Sequence, residues 1–84
     1  MPDLRTLELE LVTLIRERLL ETPPDFSATS NLYDAGLDSM AIMQLLLLIE
    51  EKYGIMLPDA DLSTENFSSA QHLAVLLAGR LKST

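Results

Sequence analysis

The residues best suited to chemistry are Asp38 and Ser39, in the run Asp34-Ala-Gly-Leu-Asp-Ser-Met-Ala41, where a segment of turn formers gives way to a long apolar one. A serine hydroxyl becomes a nucleophile when a base lies within hydrogen-bond reach and a third group orients that base. The chain has one histidine, His72, far along the sequence and with no evident orienting partner. A helix start stabilises an anion by about 0.3–1 kcal/mol, and one pKa unit corresponds to about 1.4 kcal/mol, so the helix field alone cannot make an alkoxide at neutral pH. Ser39 is therefore expected to be inert unaided, and the protein not to be an enzyme. The same position suits a phosphate ester, because unpaired N–H groups and the helix dipole favour an anion there. Ser39 thus reads as a target for modification by another enzyme, against the plainer reading of Asp38-Ser39 as an ordinary helix cap.

Other candidate chemistry is weaker. The absence of cysteine excludes disulfides, thiolate zinc sites and a thiol nucleophile supplied by the chain itself. Asp59, Asp61, Ser63 and Glu65 imitate the start of a calcium loop, but Thr64 and Ala70 stand where the twelve-residue pattern needs glycine and glutamate. No metal site is expected, and a lone His72 cannot build one. His72 is expected at the surface or boundary of an amphipathic helix.

The elements that must position Ser39 are legible as helices. Leu4, Leu7, Leu11, Leu14, Ile15 and Leu19 recur at three- and four-residue steps, which predicts a helix over about 3–21, ended by Pro23-Pro24. A long loop from Thr22 to Gly36 follows, with Phe26, Leu32 and Tyr33 as anchors; a loop of this length in a small domain tends to have a use. The second helix is expected over 39–53, capped by Asp38 or Ser39 and closed by Gly54 in the left-handed conformation, with Pro58 preventing its return. A short third helix is expected over 60–65. The last, over 69–81, opens with a capping box in Ser68-Ser69-Ala70-Gln71 and carries Leu73, Leu76, Leu77 and Leu81. No alternating run predicts a strand. The expected architecture is all-α, a four-helix bundle in a single domain spanning 1–84.

The second helix has more apolar residues than one buried face can use. Ile42, Leu45, Leu46, Ile49 and Tyr53 form a core stripe, while Met40, Met43 and Leu47 lie roughly opposite. Either the loop and short helix cover the second stripe, or it is a partner surface, for which adaptable methionine side chains are well suited. Charge adds direction. The net charge is −7, and Asp34, Asp38, Glu50, Glu51, Asp59, Asp61 and Glu65 against Lys52 place −6 of it between positions 34 and 65. That balance argues against nucleic acid and anionic membranes and for basic protein partners, with charge acting on encounter rate and orientation. The longest apolar stretch, Met40 to Ile49, is interrupted by Gln44 and too short to cross a bilayer. Met1-Pro2-Asp3 lacks the order of a secretion signal. A cytoplasmic monomer without membrane insertion is expected.

The whole pattern resembles the acyl carrier protein family. The likeness runs from Leu32-Tyr-Asp-Ala-Gly-Leu-Asp-Ser-Met40 through Leu45 to Glu51, Tyr53-Gly-Ile, Leu57-Pro58 and Glu65-Asn-Phe-Ser68. Its centre is Gly36-Leu-Asp-Ser-Met40. The resemblance implies that a phosphopantetheinyl transferase, using coenzyme A and Mg2+, links 4′-phosphopantetheine to Ser39, whose arm then holds cargo as a thioester. Asp38 matches the acid before the family's serine, implying help for the transferase's metal as well as the cap. Met40, Met43 and Leu47, with Glu50, Glu51 and Asp38, are the expected recognition face. The fatty-acid type usually has acids within two turns after the serine; here there is none before Glu50. Asp-Ser-Met followed by Gln44 to Leu47 is more similar to peptidyl and D-alanyl carriers.

The resulting expectation is a freestanding carrier of acyl or aminoacyl groups in a specialised pathway. It would be loaded by an adenylating ligase and serve downstream acyl-transfer enzymes. A fatty-acid or specialised-lipid carrier is the alternative within the family. A helical interaction module with no prosthetic group is the alternative outside it, for which Ser39→Ala would be silent and Met43→Glu disabling.

Overall fold

The computed structural model describes residues 3–82 and is helical, with no strand among the described residues. Met1 and Pro2, two of the three residues expected to lack the order of a secretion signal, lie outside the described residues. Three α-helices, α1 (Leu4–Arg18), α2 (Ser39–Tyr53) and α3 (Ala70–Lys82), surround one core, with a 3-10 turn at Asp59–Asp61. The expected bundle of four helices is therefore three helices and a turn. The segment 60–65 fails to become a helix because its polar side chains capture backbone groups. Ser63 Oγ accepts from Asn66 N at 3.1 Å, and Asn66 Nδ2 donates to the Asp61 carbonyl at 3.1 Å. Such local bonds compete with the helical ladder. Asp61 is also held by Arg80 of α3, whose Nε donates to Oδ2 at 2.8 Å, so the false calcium loop is a tether between the turn and α3.

The α1 helix ends at Arg18, earlier than the prolines require. The Leu19 and Leu20 amides both donate to the Ile15 carbonyl, at 3.1 and 2.9 Å, and this closing turn brings both leucines against the core. In α3 the cap sits one residue later than expected. Ser69, not Ser68, accepts from the His72 amide at 3.1 Å, while Gln71 N donates to the Ala28 carbonyl at 2.9 Å.

The core contains Leu7, Leu11, Val12 and Ile15 of α1, Ala41, Leu45 and Ile49 of α2, and Ala70, Leu73, Ala74 and Leu77 of α3. Ala70 and Ala74, four residues apart on one face of α3, let α1 and α3 approach closely. Phe26, Leu32, Leu37 and Phe67 fill the remaining space from the connections, and Tyr33 packs partly against it. The long loop is thus anchored at its three expected residues, Phe26 and Leu32 buried and Tyr33 in part. It is also tied to the start of α3, where Leu32 N donates to the Ser68 carbonyl at 2.8 Å.

Candidate functional site

The turn before α2 is built to present Asp38 and Ser39. Asn31 Oδ1 accepts from the Asp34 amide at 2.9 Å, and the Leu37 amide returns to the Leu32 carbonyl at 2.9 Å. Between them Gly36 has φ +114°, a conformation that side chains with a Cβ rarely adopt. Leu37 then turns inward as a core residue, and the next two residues are left on the surface. The turn is pinned, so the start of α2 is fixed.

The capping role falls to Asp38. It is extended, and its Oδ1 accepts from the Ala41 amide at 2.9 Å. The first backbone bond of the helix runs from Ile42 N to the Asp38 carbonyl at 2.8 Å. The Ser39 and Met40 amides precede that bond and point out of the helix start. Ser39 is the first helical residue, exposed, with its hydroxyl outside every hydrogen bond found among the described residues. His72 does not approach it as a base. Its Nδ1 lies 2.7 Å from Ser69 Oγ, at the start of α3, so the imidazole belongs to a helix cap. The site therefore has an accessible hydroxyl, an anion-compatible helix start and, among the described residues, no activating group hydrogen-bonded to it.

The second apolar stripe of α2 is open. Met40 is 79% exposed, and Met43 and Leu47 are each 64% exposed, so neither the loop nor the turn covers them. Met43, Leu47 and Glu50 line one groove of about 220 Å³ with Leu46, Met56 and Leu57. Met40 lies beyond it, toward Ser39. Glu51 stands elsewhere, beside Leu14, Arg18, Leu48 and Lys52 in a groove between α1 and α2, so the two adjacent glutamates serve different surfaces. Met56 was not anticipated. Its signal is the short alternation after α2, in which Ile55 and Leu57 turn inward and Met56 outward.

Tyr53, expected only as a core residue, also fixes the end of α2. Its hydroxyl donates to Glu10 Oε1 of α1 at 2.9 Å. Burial first, and then the hydrogen bond and charge of Glu10, push the phenol above its ordinary range. Gly54 ends the helix in the left-handed conformation with φ +70°, its amide donating to the Glu50 carbonyl at 2.8 Å.

The chain is similar to known proteins in sequence and in fold. A family model described as a phosphopantetheine attachment site matches residues 10–77. Over 51 residues the chain is 47% identical to the aminoacyl carrier protein of Agrobacterium fabrum, a stretch covering 60% of this chain and 61% of that relative. Over 59 residues it is 32% identical to aminoacyl carrier protein 2 of Bradyrhizobium diazoefficiens, covering 70% of this chain and 66% of that one. The matched stretches thus span somewhat less than two thirds of these two relatives. Among solved structures, it is similar to a chain in the crystal structure of an engineered Bradyrhizobium japonicum glycine:[carrier protein] ligase complexed with carrier protein from Agrobacterium tumefaciens and ATP. There the TM-score is 0.68 and the identity 31%, with 90% of this chain and 97% of that chain covered. A second match, at TM-score 0.62 and 27% identity, covers 87% of this chain and 95% of a chain in the B. japonicum ligase complexed with glycylated carrier protein. The turn, the exposed serine and most of the helical frame fall within the family match, and the chain belongs to the phosphopantetheine attachment-site family, whose group is covalently bound 4′-phosphopantetheine.

Proposed function

We propose that the protein is an aminoacyl carrier, with Ser39 as the attachment point of 4′-phosphopantetheine. The observation that carries this reading is the exposed Ser39 hydroxyl at the first position of α2, unpartnered and with two free amides beside it. In the transfer, the Ser39 hydroxyl loses its proton and forms a phosphoester bond while coenzyme A releases adenosine 3′,5′-bisphosphate. A phosphopantetheinyl transferase supplies the base and Mg2+, which this chain does not need to provide. Asp38 keeps α2 capped through Oδ1, and its other oxygen is free to approach the transferase's metal. The helix start then accommodates the phosphodiester's negative charge. When bound, the group supplies the thiol that a cysteine-free chain lacks.

Aminoacyl cargo is supported by the names of the relatives and by the ligase complexes in which similar chains occur. On that basis an adenylating ligase loads the carrier, and downstream acyl-transfer enzymes unload it. Met40, Met43, Leu47 and Met56, with Glu50 at the rim, form the surface these enzymes meet; Glu51 adds charge on the neighbouring side. The chain itself contributes positioning and recognition, not catalysis. The turn at Asp59–Asp61 takes the place of the short helix in this frame.

Loading tests the cargo class. The phosphopantetheinylated protein, incubated with ATP, a single amino acid and an aminoacyl:carrier ligase such as the glycine-specific one, gains one aminoacyl residue by intact mass. Hydroxylamine removes that mass, as it does from thioesters. Failure with amino acids, together with loading of fatty acids by an acyl:carrier ligase, contradicts the aminoacyl reading.

A further inference from the structure

The groove lined by Met43, Leu46, Leu47, Glu50, Met56 and Leu57 has a definite relation to Ser39. In an α-helix, residues spaced by four, seven and eleven positions share a face, and Ser39, Met43, Leu46 and Glu50 have that spacing in α2. Glu50 lies about 16 Å along the helix axis from Ser39, at a rise of 1.5 Å per residue. An extended phosphopantetheine, with its two amide units, spans a comparable length. The groove between them is apolar, and the methionines that edge it are mobile and adaptable. Glu50 is the one charged residue in the groove. Its carboxylate is exposed and takes part in no ion pair or hydrogen bond found among the described residues.

We infer that this groove holds the loaded end of the arm against its own carrier, and that the Glu50 carboxylate binds the α-ammonium of the aminoacyl group. The inference rests on the proposed attachment and cargo class, and adds to them a site for the cargo's charge. The arm's methylene and methyl groups lie over Met43, Leu46, Met56 and Leu57. The amine, which every α-aminoacyl thioester carries and a simple acyl thioester lacks, reaches the carboxylate. Glu50 thereby distinguishes aminoacyl from acyl cargo on the free carrier. Because Met43 and Leu47 also belong to the proposed docking surface, an incoming enzyme displaces the cargo as it binds. The contact is exposed, so it holds the cargo loosely, biasing its position by about 1.5- to 5-fold.

The experiment uses protein with 13C-labelled methionine methyl groups. A transferase loads it from coenzyme A analogues in which a hydrolysis-resistant amide carries either a glycyl or an acetyl group. Intact mass first establishes that each group is attached to the wild type and not to Ser39→Ala. In the wild type, the Met43 and Met56 methyl resonances of the glycyl form are expected to differ from those of the acetyl form. In Glu50→Gln that difference shrinks by about 1.5- to 5-fold or disappears. Attachment with identical Met43 and Met56 resonances in the glycyl and acetyl forms overturns this inference alone, as does a difference that persists at full size in Glu50→Gln. Absence of attachment to Ser39 overturns the proposed function together with it.

Discussion

At the scale of single residues, Asp38 and Ser39 divide the work at the start of α2. The division was only half visible in the sequence, where either side chain could have capped the helix. Asp38 is the cap, through its bond to the Ala41 amide, and the serine hydroxyl is left outside. Asp38→Ala is therefore expected to cost about 1 kcal/mol of stability, the usual loss for a cap, read by urea denaturation. Ser39→Ala should unfold within about 0.5 kcal/mol of the wild type, because the hydroxyl supports nothing and alanine is a good helix former. A large loss in Ser39→Ala would mean that the serine is structural. Gly36, inconspicuous as one turn former among several, has a stricter role. At φ +114° a Cβ is strained whatever room surrounds it, and Gly36→Ala is expected to cost about 1–3 kcal/mol.

Among the elements, the long helices were readable because their leucines repeat at helical spacing over several turns. Their ends and the connections were less so, since they depend on bonds to groups distant in sequence. No local pattern announces that α1 closes at Arg18 so that Leu19 and Leu20 can pack, or that Asp61 is needed by Arg80. The short helix failed for a related reason, with the Ser63 hydroxyl taking the Asn66 amide and the Asn66 side chain taking the Asp61 carbonyl in place of a helical ladder. The tie between α1 and α2 through Glu10 and Tyr53 was also invisible, because the two are 43 positions apart. It gives a pH prediction of definite sign. The Tyr53 phenol is raised above its ordinary value of about 10, so the folded state keeps a proton that the unfolded chain gives up. This contribution is complete below pH ~10 and is lost as the pH rises further through the folded-state value. Tyr53→Phe should lose about 1 kcal/mol at neutral pH. Denaturation between pH 9 and 11.5 should show the wild type losing its advantage over the variant; a constant gap across that range would contradict the assignment.

For the whole molecule, the contrast between an acidic surface and an open apolar strip on α2 is what matters to partners. On the proposed reading, the net charge of −7 gives long-range attraction for basic enzymes, while the exposed Met40, Met43, Leu47 and Met56 offer the apolar contact that charge alone does not. Association with the loading ligase is accordingly expected to slow by about tenfold or more from low salt to 0.5 M salt in stopped-flow measurements, with a smaller change in dissociation. Met43→Glu should weaken the same complex chiefly by faster dissociation. Much of this scale was in the sequence, since composition, charge and an excess of apolar residues on α2 do not depend on contacts. What the sequence lacked was Met56, brought alongside the strip by the chain's return after Gly54.

The proposed carrier role depends on Ser39 receiving the prosthetic group. Intact mass spectrometry after incubation with coenzyme A, Mg2+ and a broad-specificity phosphopantetheinyl transferase tests that most directly. The expected result is a gain of one phosphopantetheinyl group on the wild type, located to Ser39 by peptide fragmentation, and no gain on Ser39→Ala. No gain on the folded wild type, or an equal gain on Ser39→Ala, would contradict it.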